Sequence, residues 1–266
     1  MSPFWPGTPR KREVAGHPHG AHWDCVGPSE EALRDIIMGS FHARAIVGRA
    51  CWTGPNVESG GAVMENEAVA ALSQHSGVKA LSVAVNGSVW TAYPVSEFSA
   101  RAPATMKEVL EWDSGIEGQL ALEVGKASLT AFDPFYFRHR GEIVSTGECL
   151  LSAFAYLATK AEPQTLVKEG KMYDTRGVPW IFPVPKTGAD DYRIQMPVRE
   201  VQKIDVFGSR GYVFSGPVIA GKKGYHDLPV VAIGKNIEGP VPGAGDDLSA
   251  AVWLQGFFEI KKGKMR

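Results

Sequence analysis

Alternating hydrophobic and polar positions recur along most of the chain and predict mainly β-strands. The clearest case is Ala80–Val85, followed by Asn86-Gly87 and then Ser88–Tyr93. Asn-Gly favours a two-residue turn between antiparallel strands because both turn positions need positive φ. We therefore predict a hairpin here. A second predicted hairpin joins two further strand-like segments, Gln119–Val124 and Ser128–Phe132, across Gly125-Lys126.

Helical spacing appears in three shorter segments. After Pro28, Ser29 is a candidate cap, and an apolar stripe that begins at Ala32 runs to Met38 and ends at Gly39. This order of cap, stripe and glycine is typical of an amphipathic helix. Two further helices are predicted over Glu65–His75 and Thr105–Trp112.

Beyond Pro163, short strand-like segments follow one another between Gly and Pro turns. They are Val178–Val184, Tyr192–Val198, Lys203–Phe207, Tyr212–Ser215, Val218–Ile219, Leu228–Ile233 and Leu248–Ile260. Short strands at this spacing predict a small barrel or sandwich, and an OB-like barrel is one option of the right size. The last segment is too apolar for a solvated edge, so we expect it to close the sheet.

The predicted fold class is therefore α+β and β-rich. An N-terminal half of hairpins and short helices precedes a C-terminal half that closes as a small β-barrel or sandwich. We predict an arm over residues 1–27, an α+β domain with two hairpins over 28–163, and an all-β barrel or sandwich domain over 164–266. The arm contains four prolines and no periodicity that could bury a face, so we expect it to be flexible or docked on a partner.

Composition narrows the class of protein further. The formal net charge is −1, but residues 1–164 carry 13 Lys and Arg against 18 Asp and Glu, whereas residues 165–266 carry 15 against 11. This asymmetry permits an anionic partner on the second half but is far from the basic surface of a dedicated DNA-binding domain. No apolar run approaches the roughly 20 residues of a membrane helix, and no signal peptide begins the chain. We expect a cytoplasmic protein that does not bind membranes.

The arm contains one candidate metal site. His17, His19, His22, Asp24 and Cys25 place three imidazoles, a carboxylate and a thiol within nine residues. These are the ligands that zinc, copper or nickel prefer, so a transition metal is the cofactor that the sequence suggests. The spacing matches no common zinc pattern, however, and the alternative is a solvated or partner-bound arm. The three cysteines of the chain form no CxxC pair, which gives no sign of a disulfide framework.

Basic residues near aromatic ones suggest an anion or nucleic-acid contact. Arg138 and Arg140 follow an aromatic cluster at Phe132–Phe137, and Lys222 and Lys223 lie in the basic second half. Aromatic rings interleaved with cations stack bases and neutralise phosphates in single-stranded nucleic-acid binders. The alternative is that the rings pack in the core while the arginines reach solvent.

Other motifs point away from an enzyme. Gly216–Lys223 resembles a phosphate-binding loop, but Lys223 occupies the hydroxyl position and no helix follows, so no nucleotide is expected. Asp246-Asp247 is a candidate carboxylate pair for a cation or for acid–base chemistry, although turn formation is the simpler role. The common serine, cysteine and zinc-protease nucleophile motifs are missing.

The expected function is a non-enzymatic binding or assembly module. Its contacts would be made through the N-terminal arm and the barrel loops, with a protein partner or a second copy of the chain. Two other hypotheses remain open: a metal-dependent enzyme that uses the arm cluster, and a single-stranded nucleic-acid binder.

Overall fold

A computed structural model describes residues 9–16, 18–42, 46–51, 67–139, 145–162, 165–169, 171–185 and 187–259. Strands dominate these ranges. In chain order they are β1 (Arg10–Val14), β2 (Ile46–Cys51), β3 (Glu67–Leu72), β4 (Val78–Val85), β5 (Ser88–Ser96), β6 (Ala100–Trp112), β7 (Gly118–Val124), β8 (Ala127–Phe132), β9 (Thr146–Lys160), β10 (Thr165–Lys168), β11 (Lys171–Asp174), β12 (Trp180–Pro183), β13 (Asp191–Pro197), β14 (Glu200–Val206), β15 (Ser209–Ala220), β16 (Tyr225–Ile233), β17 (Ile237–Glu238) and β18 (Asp247–Phe258). The helices are α1 (Gly20–Trp23), α2 (Glu30–His42) and α3 (Tyr136–His139), with a 3-10 turn at Gly234–Asn236. Within the described ranges, no helix has the length and apolar character needed to cross a membrane.

Five strands close into a barrel. β6, β7 and β8 form an antiparallel meander, β9 pairs antiparallel with β6, and β18 pairs antiparallel with β9. The ring closes where β18 meets β8 in parallel, with Gln255 opposite Phe132. Leu122, Leu151 and Leu254 are among the buried residues of the core inside it. The prediction of a β-rich fold whose last apolar segment closes a barrel is confirmed.

The sheet continues beyond the barrel because β9 and β18 extend past the part of each strand that forms the ring. β16 adds to β9 in parallel, and β15 and β14 follow it as antiparallel neighbours. On the other side, β13 and then β12 add to β18. Ile194, Phe214 and Val230 on these added strands belong to the same core as the barrel interior.

A second sheet packs on the outside of the barrel. It consists of β2, β3, β4 and β5 in sequential antiparallel order. Leu81 and Tyr93 of this sheet share a second core with Phe132, Phe154 and Trp253, which project from the outer face of the barrel. Both predicted hairpins are confirmed: β4 and β5 flank Asn86-Gly87, and β7 and β8 flank Gly125-Lys126.

Two of the three predicted helices are wrong. The segment that includes Glu67–Leu72 is a central strand between β2 and β4, and Thr105–Trp112 belongs to β6. In β6, an irregularity between Met106 and Glu108 shifts the register, so the apolar residues before and after it do not alternate simply and resemble a helical stripe. The third helix is present as α2. Ser29 Oγ accepts a hydrogen bond from Ala32 N at 3.2 Å, but the helix passes Gly39 and ends at His42.

The barrel is placed differently from the prediction, because four of its five strands precede residue 163. Strands from both sides of that position share one hydrogen-bonded sheet. Whether 28–163 and 164–266 fold as separate domains stays a prediction. The described part of the arm lies on the body of the chain: β1 pairs in parallel with β6, and Lys11 Nζ lies 2.7 Å from Glu111 Oε1.

We predict that Gly256→Val destabilises the barrel by about 1–3 kcal/mol, since overpacking a closed core forces its neighbours apart. A Cβ at Gly256 would lie 2.7 Å from Leu151 Cδ2 and 3.0 Å from Ala131 Cβ. Urea unfolding measures the loss. Gly39→Ala is the control, because a Cβ there meets nothing within 4 Å and alanine favours a helix. Unchanged stability of the Gly256 variant would contradict close packing at this point.

Candidate functional site

The histidine-rich segment of the arm is buried in the second core. His19 and His22 each keep only 5% of their surface exposed, and Cys25 keeps none. Trp23 Nε1 donates a hydrogen bond to the Ala92 carbonyl of β5 at 3.0 Å, which ties this segment to the second sheet. The segment therefore fills space between the barrel and the second sheet.

The two buried imidazoles face each other and are held by a buried carboxylate. His19 Nδ1 lies 2.7 Å from His22 Nδ1, and His19 Nε2 lies 2.7 Å from Glu117 Oε1. The Thr91 hydroxyl donates to the same Glu117 oxygen at 2.9 Å. Two ring nitrogens at hydrogen-bonding distance have room for one proton between them, so a proton on each Nδ1 would break the contact.

Aromatic rings enclose this histidine pair. The His22 ring stacks on Trp253 at a centroid distance of 3.9 Å and an interplanar angle of 7°. The His19 ring lies 5.2 Å from the Trp112 ring and nearly parallel to it, with Tyr93 at 4.8 Å. Both histidine rings are almost fully buried, and their contacts hold the N-terminal segment against the barrel.

The predicted metal ligands are brought together only in part. His19 and His22 are adjacent, but two nitrogens bound to one tetrahedral zinc would lie about 3.3 Å apart, which is wider than their separation. Asp24 is exposed, and burial raises the pKa of the Cys25 thiol. No group of three or more His, Cys, Asp or Glu in the described ranges is arranged to hold a metal ion. His17 lies outside those ranges, so the full predicted set stays a prediction.

A buried carboxylate lies next to the histidine cluster. Asp190 is 0% exposed, and its Oδ2 accepts a hydrogen bond from Trp253 Nε1 at 2.8 Å. Asp190 Oδ1 and Gln119 Nε2 are both buried, and neither makes a hydrogen bond to another residue that the structure describes. Burial raises the pKa of the Asp190 carboxyl, and the hydrogen bond from the Trp253 indole opposes this effect only in part.

The predicted carboxylate pair at the start of β18 makes turn contacts. Asp246 accepts a hydrogen bond from Gly243 N at 2.9 Å and pairs with Lys160 Nζ at 2.7 Å, which lowers the pKa of its carboxyl. Asp247 accepts from Gly177 N at 2.8 Å. The two carboxylates therefore have different partners, and a joint role in acid–base chemistry or cation binding stays a prediction.

A cleft of about 1200 Å³ opens where the β7–β8 turn meets the β15–β16 turn. Lys222 and Lys223 lie among its lining residues, and we call it the lysine-rimmed cleft. Arg138 lies elsewhere, 5.9 Å from the centre of the Phe135 ring, and is absent from the described lining. Arg140 falls outside the described residues. The structure thus brings the two lysines together without Arg138.

An exposed aromatic surface at the edge of the sheet is absent from the sequence predictions. Trp180 and Phe182 project from β12 with ring centroids 5.4 Å apart, and Phe182 is 61% exposed. Arg193 of β13 lies opposite Phe182, and the same row continues through β18 to the exposed Leu157 of β9. We call these four residues the aromatic shelf. The sequence predicted the strand at 178–184. It did not predict which face of that strand stays exposed, because this depends on which other elements of the fold cover the sheet.

Comparisons with models of protein families, with curated proteins and with solved structures give no match to this chain. A function for it therefore rests on the geometry of the described residues.

We predict that Asp190→Asn stabilises the protein at neutral pH by about 1–3 kcal/mol, the usual cost of a buried polar group without its partner. Because the folded pKa of Asp190 is raised, its ionisation costs stability as pH rises through that value. The gain should therefore disappear in acid, where the wild-type carboxyl is also protonated. Urea unfolding across a pH series measures it.

The control for this prediction is Asp35→Asn on the exposed side of α2, which should show no pH-dependent gain. An Asp190→Asn variant that is less stable than wild type at neutral pH would mean that the ionised carboxylate has a stabilising role in the core.

Proposed function

We propose that the protein is a non-enzymatic assembly module that associates with a second copy of itself through the aromatic shelf. The observation that carries this proposal is the pair of rings on β12, the exposed Phe182 and the half-buried Trp180, whose indole is held by hydrogen bonds. Exposed aromatic anchors whose position is set by neighbouring groups are typical of the residues that dominate binding energy at protein interfaces.

The orientation of Trp180 is set by a chain of hydrogen bonds. Its Nε1 donates to Gln195 Oε1 at 3.3 Å, and Gln195 Nε2 donates to the carbonyl oxygens of Thr175 and Val178, at 3.0 and 3.4 Å. The amide of Gln195 is thus occupied in holding the indole. A ring fixed before binding loses little conformational entropy when a partner covers it.

The composition of the shelf fits a protein partner. Trp, Phe and Arg are enriched at the centres of protein interfaces, where Lys, Glu and Asp are depleted. Met172 and Val178, which lie in neighbouring segments of the chain, are 76% and 47% exposed. Pairing of a foreign strand with the edge of β12 is disfavoured, because this short strand is bounded by Pro179 and Pro183. Side-chain contact is therefore the better mode.

A second copy is the partner that the shelf itself supports. The shelf contains both components of a cation–π contact, the Arg193 guanidinium and the faces of Trp180 and Phe182. No ion pair to Arg193 is found in the described part of the chain. In a two-fold dimer, each guanidinium can lie over the aromatic ring of the other copy, which makes the surface complementary to itself.

The scaffold is proposed to be OB-like. In chain order the ring strands β6, β7, β8, β9 and β18 are first to fifth, and around the ring the order is first, second, third, fifth, fourth. Support comes from this Greek-key order in a five-stranded barrel.

The arm is the surface that the sequence favoured for assembly. Its described part packs against the chain's own barrel, so we assign the intermolecular contact to the shelf.

We predict that the double variant Trp180→Ser, Phe182→Ser abolishes self-association, because it removes the apolar anchors of the interface. Sedimentation velocity over a range of protein concentrations measures the monomer–dimer equilibrium. Arg193→Ala should weaken the dimer without unfolding the chain, since the side chain is exposed.

Trp90→Ser provides the matched control, because Trp90 is a 44% exposed tryptophan on the other sheet. It should leave the dimer unchanged. A wild-type protein that stays monomeric at high micromolar concentration would overturn the proposal, as would a dimer that survives the double substitution.

A further inference from the structure

The first strand, β1, lies on the barrel with little apolar packing of its own. All of its residues are exposed except Val14, which is half-buried, and the residue before it, Pro9, is buried. A strand that buries so little apolar surface gains little from the hydrophobic effect. Its attachment therefore depends mainly on backbone pairing with β6 and on ion pairs.

The strand covers a side of β6 that the barrel leaves open. β7 pairs with one side of β6, and β9 pairs with the other side only through residues 100–105. Among the described residues, β1 is the strand that pairs with this second side over residues 108–112, with Arg10 opposite Glu108. We call residues 108–112 the β6 edge. An edge without its strand presents unpaired backbone donors and acceptors, which are a template for another strand.

Glu108 contacts both arginines of β1. Its Oε1 lies 3.4 Å from Arg12 Nε and 3.9 Å from Arg10 Nε, and both arginine side chains are exposed. Exposed ion pairs contribute little stability and are screened by salt. These contacts can therefore break while the barrel stays folded.

Glu111 contacts the lysine between the two arginines, on the opposite face of the strand. Lys11 Nζ lies 2.7 Å from Glu111 Oε1, and the Glu111 side chain is only 3% exposed. The Tyr136 hydroxyl donates to Glu111 Oε2 at 2.6 Å and holds the carboxylate from within the core. A fixed carboxylate beside a strand edge selects a cation at the matching position of the added strand, whose backbone supplies the remaining contacts.

The chain's own β1 is an imperfect occupant of the β6 edge. Glu13 lies in register with Glu111, so β1 brings a second carboxylate to the same position. Like charges at paired positions of a sheet are destabilising. A segment with a cation in place of this glutamate fits the edge better and is able to displace β1.

We propose that the β6 edge is a docking site for an extended basic segment of a partner protein, and that β1 is its intramolecular occupant. The partner segment adds to β6 as β1 does, with cations beside Glu108 and a lysine on Glu111. Because β1 is tethered to the site, it competes at an effective concentration of about 1 mM. The site shares no residue with the aromatic shelf and does not depend on the proposed dimer.

A full-length variant with Arg10→Glu, Lys11→Glu and Arg12→Glu tests the proposal, because the reversed charges repel its own β1 from the two carboxylates of the edge. Fluorescence anisotropy measures its binding of a labelled peptide with the sequence of residues 9–16. This charge-reversed variant should bind the peptide about tenfold or more tightly than wild type, in which the tethered strand competes. The affinity should fall as salt rises.

Two further substitutions test the two carboxylates of the edge. The Glu13→Lys form of the peptide should bind about threefold more tightly, because it removes the like charge opposite Glu111. Glu108→Gln, added to the charge-reversed variant, should weaken binding by about threefold or more, because both arginines lose their ion pair.

The matched control is a protein with Lys203→Glu, Lys222→Glu and Lys223→Glu. These substitutions make the same change in net charge on exposed lysines that lie outside the β6 edge and β1. The control should bind the peptide as weakly as wild type, and thermal unfolding should confirm that each variant is folded.

Native-state hydrogen exchange gives a test that needs no variant. In the wild-type protein, the β1 amides should exchange through local opening, at a lower free energy than those of β9 and faster in about 1 M salt. The proposal is overturned if the β1 amides exchange only on global unfolding, or if the folded charge-reversed variant does not bind the peptide. It is also overturned if that variant binds a peptide with glutamate at the three basic positions equally well. Exchange of β1 between wild-type and charge-reversed copies, without binding of the free peptide, would assign the edge to a second copy and overturn it too.

Discussion

The fold depends on the last strand, β18, which pairs with three different strands. It runs antiparallel to β9, adds β13 along its first half and meets β8 at Gln255, where the barrel closes. Its two faces belong to different cores: Leu254 points into the barrel and Trp253 into the layer beneath the second sheet. Without β18, the meander β6–β8 would have an open edge and both cores would lose part of their lining.

The N-terminal segment completes the second of these cores. His22 stacks on Trp253, and His19 reaches Glu117 in the turn between β6 and β7. Burying polar imidazoles is costly unless their hydrogen bonds are made, and here the pair satisfies one another and the carboxylate. His19 and His22, two of the residues that suggest a metal site from the sequence, thus also have a packing role, and the metal site itself stays a prediction. The surface proposed for self-association, the aromatic shelf, lies at the Leu157 end of the β9–β18 ladder.

Local signals predicted local structure well. Asn86-Gly87 specified its hairpin through backbone geometry, and the apolar content of the last strand indicated that it would close the sheet. The helices expected at 65–75 and 105–112 were wrong because pairing with neighbouring strands, together with the irregularity in β6, overrides the intrinsic pattern. Glu117 and the shelf could not be found from the sequence, since one depends on the docking of a distant segment and the other on which face stays uncovered.

Native-state hydrogen exchange of the β18 amides tests the central claim most directly. If the barrel depends on β18 for its closure, the amides of Leu254 and Gly256 should exchange only through global unfolding, with the same free energy as those of β9. Exchange of β18 at a much lower free energy, while β6, β7 and β9 remain protected, would show that the barrel does not need its last strand and would contradict this account.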